Sequence, residues 1–159
     1  MFLSLSEVIL ALVLATGGVL GIRAENSLSC PVTKPNGRTP PGERPDPNHH
    51  GNGALWTVLW PDGTVVISPV GAGSVLSDGS LEMKFPWWRA VKGRLTINGR
   101  RLDASAPPLR AKIPEGYGDS GFQSSALIFP TPGCWEITGR VGTTTMTFVS
   151  RVVKSEKHE

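Results

Sequence analysis

Two adjacent tryptophans followed by a run of basic residues form the part of this sequence best suited to binding a ligand. Exposed indole faces stack on sugar rings, and guanidinium groups pair with carboxylate or phosphate. Positions 89 to 101 contain five basic residues and no acidic one. The candidate ligand surface therefore comprises Trp87, Trp88, Arg89, Lys92, Arg94, Arg100 and Arg101. An anionic polysaccharide of the cell envelope is the ligand whose chemistry fits these side chains.

The same residues also allow a purely structural interpretation. One tryptophan would then pack in the core and the other would cap the edge of a sheet. The arginines would form a solvated outer face that discourages edge-to-edge pairing of strands. The two interpretations differ in whether Trp87 and Trp88 lie in the core or on the surface.

A tetrapeptide typical of serine proteases occurs later in the chain. Gly118-Asp119-Ser120-Gly121 copies the residues around the nucleophile of trypsin-like enzymes. Those enzymes also need a histidine and a second aspartate from earlier strands, in triad geometry. The only histidines here are His49, His50 and His158, in the predicted arm and the tail. We therefore predict that residues 117–121 form a loop with no catalytic role.

Neither metal binding nor acid–base catalysis is indicated by a motif. His49 and His50 are adjacent in a segment predicted to be extended, so their side chains should point apart, and no third ligand is evident. We expect no metal and no cofactor. In a sandwich, however, distant carboxylates can meet, and a small hydrolase acting on envelope material is the alternative. Its cleft would use two of Asp62, Asp78, Asp103, Asp119 and Glu136.

The overall composition favours one domain built from short strands. The 159 residues include 19 glycines and 14 prolines, and 39% are hydrophobic. Such frequent turn residues favour short strands, and no helical periodicity occurs beyond the first 24 residues. The formal net charge of +3 falls short of the dense basic loading of a dedicated nucleic-acid-binding protein. Nucleic acid is therefore not an expected partner.

Residues 1–24 have the features of an export signal. The apolar run from 8 to 22 has the length of a signal-peptide core, and Ala24 offers a small residue before a cut ahead of Glu25. No Lys or Arg precedes this run, and Glu7 stands where positive charge is typical. An uncleaved N-terminal membrane anchor is therefore the alternative. Either interpretation places the remaining chain outside the cytoplasm, secreted, in the periplasm or on the cell surface.

The two cysteines are interpreted in the light of this compartment. Cys30 and Cys134 in an exported chain predict a structural disulfide that closes a long loop. The alternative, a free catalytic thiol at Cys134, has no histidine near it in sequence. Residues 25–53 are rich in Pro and Gly and almost lack aliphatic side chains. We expect them to form an extended arm that the disulfide fastens to the domain.

The residues from 54 to 153 alternate in the manner of strands, and residues 154–159 form a polar tail. Pro61-Asp62-Gly63 and Asn98-Gly99 have the composition of hairpin turns. Residues 132–153 form a third hairpin, with a turn at Gly142 and Thr143. The remaining strands are predicted at 81–85, 109–113 and 121–129. About eight strands with short connections predict an antiparallel β-sandwich.

A family resemblance adds to this interpretation. Residues 129–139, FPTPGCWEITG, resemble the Pro-Gly-aromatic start of the penultimate strand of bacterial immunoglobulin-like domains. With CPVTKPNG at 30–37, KFPWWR at 84–89 and GRRLD at 99–103, the chain resembles small exported bacterial proteins of unassigned activity. The resemblance implies an immunoglobulin-like sandwich and no catalytic residue. Unlike antibody domains, this chain places Trp135 and Ile137 on one strand face and Cys134 on the other, which predicts a disulfide outside the core.

These features together predict a non-catalytic exported module. Its expected role is to bind an envelope component or a protein partner, or to contribute to the structure of the cell surface. A membrane is an expected partner only if residues 1–24 are not cleaved.

Overall fold

The computed structural model describes residues 29–67 and 73–155. The predicted signal segment, residues 1–24, lies outside the described residues, as does most of the predicted tail. Every regular element in the described part of the chain is a β-strand. No helix in this part is suited to crossing a membrane.

Within the described residues, twelve strands, more than the eight expected, form three four-stranded sheets. They are β1 (His49–Gly51), β2 (Leu55–Val58), β3 (Thr64–Ile67), β4 (Ser74–Val75), β5 (Leu81–Lys84), β6 (Trp87–Arg89), β7 (Leu95–Arg101), β8 (Arg110–Lys112), β9 (Gly121–Gln123), β10 (Ala126–Phe129), β11 (Gly133–Val141) and β12 (Thr144–Lys154). The sheet orders are β1-β2-β6-β9, β4-β5-β10-β8 and β3-β12-β11-β7. All pairs are antiparallel except β3 with β12, which corrects the expectation of a wholly antiparallel fold.

The predicted C-terminal hairpin is confirmed and forms the centre of the third sheet. Strands β11 and β12 pair from Gly133 opposite Val152 to Val141 opposite Thr144. Gly142 makes the turn with a φ of 56°, a left-handed conformation that glycine adopts without a steric penalty. Alternate residues of β11 face inward, with Trp135 and Ile137 fully buried, as the sequence pattern predicted.

The first two sheets are joined by one bent ribbon of chain. Strands β5 and β6 follow each other around Phe85 and Pro86, and they pair with β10 and β9 respectively. The backbone N–H of Phe85 donates to Ser125 O at 2.9 Å, which continues the ladder through the bend. Proline lacks an N–H, so a bend is a suitable place for Pro86. The ribbon positions the inward side chains of β5 and β6 over the third sheet.

Aromatic side chains fill the core between the sheets. Phe85 stacks on Phe148 with ring centroids 6.0 Å apart, and Trp87 lies 5.9 Å from the same ring. Phe129 contacts Trp135 edge to face at 5.6 Å. All of these rings are almost completely excluded from water, so they provide much of the apolar burial that stabilises the fold.

Two of the predicted hairpins are wrong. The Pro61-Asp62-Gly63 turn forms, with Gly63 N donating to Trp60 O, but β2 and β3 then enter different sheets. Asn98-Gly99 makes no turn, because β7 runs straight through it and Gly99 pairs with Ile137. A Cβ at Gly99 would lie 2.1 Å from Leu109 Cδ2. Close packing therefore explains this glycine.

The predicted disulfide is confirmed and fastens the arm to the outside of the third sheet. Cys30 and Cys134 are bonded, with Cα atoms 5.5 Å apart. Cys134 lies on the strand face opposite Trp135, as predicted, yet it is only 2% exposed. Beyond the disulfide, Thr33 donates its backbone N–H to Val149 O and accepts from Val149 N through its hydroxyl.

The predicted arm is more ordered than its composition suggested. Its last residues form β1, which pairs with β2 and so belongs to the first sheet. The side chain of Asn36 bridges both backbone groups of Gly51, accepting from N and donating to O. Gly37 N donates to His49 O at 2.8 Å. The segment from 31 to 53 is therefore held by hydrogen bonds at several points along its length.

Candidate functional site

Alternation along β6 separates the three consecutive residues of the predicted ligand surface. Trp87 and Arg89 point inward and are 0% and 4% exposed. Trp88 points outward and is half-buried. Trp87 is therefore a core residue and Arg89 is a buried one, which corrects their assignment to an exposed surface. The cause is the two-residue period of a strand, which cannot present three neighbouring side chains on one face.

The four remaining basic residues lie at opposite ends of β7. Lys92 and Arg94 precede the strand, whereas Arg100 and Arg101 end it, about 20 Å away at the rise of a strand. Arg100 pairs with Glu136 at 2.8 Å and Arg101 with Asp103 at 2.7 Å. The hydrogen bond from Arg101 lowers the pKa of Asp103. The predicted surface is thus divided into an end where Arg100 and Arg101 are paired with carboxylates and an end where Lys92 and Arg94 have no ion pair among the described residues.

The outer face of the first sheet carries a row of aromatic side chains that the sequence did not reveal. The aromatic row consists of His49, Trp88, Phe122 and Tyr117. Neighbouring rings lie 5.4 to 5.7 Å apart in edge-to-face contact. Trp88 and Phe122 are direct partners in the β6–β9 ladder. Phe122 is 44% exposed and Tyr117 38%, so this end of the row is open to solvent.

The other end of the aromatic row is covered by the arm. Glu43 accepts a hydrogen bond from Trp88 Nε1 at 3.0 Å. Thr39 Oγ1 lies 3.4 Å from His49 Nδ1. These contacts leave His49 buried and Trp88 half-covered. The row is consequently accessible at Phe122 and Tyr117 and closed at His49.

The Arg89 guanidinium holds the loop that carries Tyr117. Its Nη2 donates to Tyr117 O at 3.2 Å and to Gly118 O at 3.0 Å, and Nη1 donates to Gly93 O at 2.8 Å. A longer contact of 3.5 Å joins Nε to Gly121 O. Loop residues up to Ser120 are irregular, and Gly121 begins β9. The first three residues of the protease-like tetrapeptide therefore lie in the loop, as predicted, whereas Gly121 belongs to a strand.

A cavity of about 210 Å³ lies beside this loop. Tyr117 lines both the cavity and the open end of the aromatic row. The charged side chains in the wall are Arg89, Arg94, Glu115 and Asp119. Gln123, a buried residue, also lines the cavity and donates to Pro114 O at 2.9 Å. Through Tyr117, the cavity and the exposed rings form one candidate site, next to Arg94 at the start of β7.

The adjacent histidines point to opposite faces of β1, as expected. His49 joins the aromatic row, while His50 faces inward, where burial lowers the pKa of its imidazole. The Nδ1 atom of His50 has no hydrogen-bond partner among the described residues. Within residues 29–67 and 73–155, no three His, Cys, Asp or Glu side chains are grouped as metal ligands would be.

The five carboxylates considered for a hydrolase lie on separate elements. Asp62 accepts from Thr64 N in the β2–β3 turn, and Asp78 pairs with Arg110 at 3.0 Å in the β4–β5 turn. Hydrogen bonds from Ser80 lower the pKa of Asp78. Asp103 and Glu136 pair with the arginines at the end of β7. Asp119 alone lines the cavity at Tyr117.

No protein-family model, curated protein or solved structure matches this chain. Its chemistry is therefore interpreted from the site alone. Phe122 and Tyr117 offer planar apolar faces, and the adjoining cavity offers hydrogen-bond donors and charge.

Proposed function

We propose that this protein is a non-catalytic exported module, an immunoglobulin-like β-sandwich that binds a polysaccharide of the cell envelope through the aromatic row. The observation that carries the proposal is the contact between Phe122 and Tyr117. Their ring centroids are 5.7 Å apart, and both rings remain substantially exposed. Only one other large hydrophobic residue of the described chain, Val66, is comparably exposed. Clustered exposed aromatic rings are typical of binding surfaces.

The fixed position of the rings supports stacking on a sugar chain. Phe122 is held in the β6–β9 ladder opposite Trp88, and the backbone of Tyr117 is held by Arg89. Rings whose geometry is set before binding lose little conformational freedom when a ligand arrives. The row extends across neighbouring strands, so it offers a polysaccharide more than one ring to contact.

The disulfide supports the proposed location. The Cys30–Cys134 bond would be reduced in a typical cytosol and persists in oxidising compartments. Together with the signal-like composition of residues 1–24, it favours a protein that works in or beyond the envelope. Polysaccharide is abundant there, which makes it the ligand class to test first.

A hydrolase has less support, because four of the five carboxylates considered for it have local partners and lie in different parts of the fold. The fifth, Asp119, has a carboxylate neighbour in the cavity wall, Glu115. Both are exposed. A catalytic acid is more often held in an environment that raises its pKa.

Co-sedimentation with insoluble bacterial cell-wall polysaccharide tests the proposal. The wall material is treated with protease beforehand, so that bound proteins cannot act as the receptor. We expect Phe122→Ala and Tyr117→Ala each to weaken binding about tenfold, equivalent to about 1.4 kcal/mol, a loss typical of an aromatic contact. The matched control is Val66→Ala, which truncates an equally exposed hydrophobic side chain on β3.

Three outcomes would contradict the proposal. They are no sedimentation of the wild-type protein with either material, sedimentation only with material that has not been treated with protease, and unchanged binding after both ring substitutions. The second outcome would favour a protein partner. Thermal unfolding of each variant shows whether any loss of binding comes from loss of structure.

A further inference from the structure

The cavity beside Tyr117 is lined by two arginines, Arg89 and Arg94. Three other arginines that end or flank strands are each paired with a carboxylate, at Glu136, Asp103 and Asp78. Neither Arg89 nor Arg94 has a carboxylate within 4.0 Å among the described residues, although both line the cavity. Both residues line the same cavity, so an anion bound there would be attracted by two guanidinium groups.

Arg89 is the stronger of the two electrostatic elements. It is 4% exposed, and its contacts in the described chain are to backbone carbonyls, which carry partial charge only. A guanidinium has five N–H donors. The four contacts of Arg89 leave one Nη1 hydrogen without an acceptor among the described residues. A buried cation without a counter-ion is costly, so it favours an anion in an adjoining cavity.

Glu115 and Asp119 oppose this effect from the rim. Their residues are exposed, so water screens their charges more than it screens the charge of Arg89. Neither is close enough to form an ion pair with Arg89 or Arg94. The inner wall of the cavity is therefore more cationic than a simple count of its side chains indicates.

We infer that this cavity is a subsite for an anionic group of the bound polysaccharide, a carboxylate or phosphate on a sugar that stacks on Tyr117. Arg94 contacts the anion from the mouth of the cavity, and Arg89 stabilises it from within. The inference rests on the proposed function and goes further by assigning the charge of the ligand. The exposed rings favour a sugar, and the guanidinium groups of Arg89 and Arg94 favour a sugar that carries an acidic group.

The test uses protease-treated cell-wall polysaccharide in three forms. One keeps all its anionic groups (the untreated form), one has its carboxyl groups reduced to alcohols, and one has its phosphates removed. We expect the wild-type protein to bind the form with all its anionic groups about tenfold more tightly than one of the two neutralised forms. The form that loses affinity identifies the anion. Arg94→Gln, which leaves the Arg89 contacts to the loop in place, should reduce this preference, because only the Arg89 guanidinium then attracts the anion.

Glu115→Gln is the matched variant of opposite sign. Removing its charge should strengthen binding to the polysaccharide that keeps its anionic groups about two- to fivefold, the size of an exposed charge interaction, and should leave the neutralised form unaffected. Equal binding of all three forms by the wild-type protein would overturn the subsite and leave the aromatic row intact. A preference in Arg94→Gln as large as that of the wild-type protein would also overturn it. Failure to bind any form, by contrast, would remove the proposed function together with the subsite.

Discussion

Gly139 of β11 lies against the indole of Trp87, so closely that a Cβ at position 139 would stand 2.4 Å from the ring atoms Cη2 and Cζ3. The contact joins the first sheet to the third at the centre of the core. It also accounts for the inward position of Trp87, since only a residue without a side chain leaves room for the ring.

Replacing Gly139 with alanine should therefore lower the free energy of unfolding by about 1–3 kcal/mol, the usual cost of overpacking a core. The ring cannot move away easily, because Phe148 lies 5.9 Å from it. Chemical denaturation measures the change. Arg140→Ala, at the exposed neighbouring position, should change stability by less than about 0.5 kcal/mol. Equal stability of Gly139→Ala and the wild type would contradict the close contact.

Removing the disulfide should destabilise the protein by about 4–5 kcal/mol, since the bond closes a loop of 104 residues. The double variant Cys30→Ser with Cys134→Ser, unfolded in urea beside the oxidised wild type, measures this loss. Limited trypsin digestion should then cut after Arg38. The control is Thr33→Ala, which removes the hydrogen bond that the Thr33 hydroxyl accepts from Val149 N. It should lower the free energy of unfolding by only about 1 kcal/mol. An unchanged midpoint in the double variant would disprove the role of the bond.

The stability of the protein should depend on pH through His50. Burial lowers the pKa of His50 below its ordinary 6.5, and the charge of Arg38 adds to this shift, although the backbone hydrogen bond with Lys34 opposes it. Just below pH 6.5 the unfolded chain therefore binds a proton that the folded chain does not. The free energy of unfolding falls as pH decreases from 6.5 through the folded pKa.

The variant His50→Gln should lose this component. Unfolding free energies at pH 7 and pH 5 give the difference for each protein, and the difference should be smaller in the variant than in the wild type. An identical difference in both proteins would show that His50 does not titrate in this range.

Arg89→Met should destabilise the protein by about 1–3 kcal/mol, because the carbonyls of Gly93, Tyr117 and Gly118 lose their donor. Arg89→Lys should lose less, since an ammonium still supplies three N–H donors. Hydrogen exchange offers a local measurement, because Gly93 N donates to Asp119 O. Exchange at Gly93 should accelerate in the methionine variant. Unchanged exchange and stability would mean that the loop does not depend on Arg89.

Local sequence patterns correctly predicted the elements that are formed by residues close together in the sequence. The hairpin of β11 and β12 follows from alternation and a turn at Gly142, and both lie within one continuous stretch. The inward set containing Trp135 follows from the same alternation. The disulfide followed from having two cysteines in a chain with an export-like N-terminus. For the disulfide the sequence also allowed a free thiol at Cys134, and the structure confirms the bond.

Turn composition did not predict which strands pair, and it predicted the place of only one of the two turns. Pro61-Asp62-Gly63 turns the chain, but β3 pairs with β12 instead of β2. Asn98-Gly99 has the composition of a turn and lies within β7. A dipeptide sets local backbone preferences, whereas strand partners depend on burial throughout the sheet. The sequence also did not predict that the arm is ordered, because the hydrogen bonds of Asn36 and Thr33 are made to residues remote in sequence.

The sequence by itself determined the all-β class, the disulfide, the C-terminal hairpin and the presence of aromatic and basic residues near position 88. Tertiary structure alone decided which of these face solvent. Trp87 and Arg89 are buried because they alternate with Trp88 on one strand. Phe122 and Tyr117 join Trp88 because β9 pairs with β6 across 34 residues of chain. A binding surface depends on such long-range pairing, which local residue spacing does not encode.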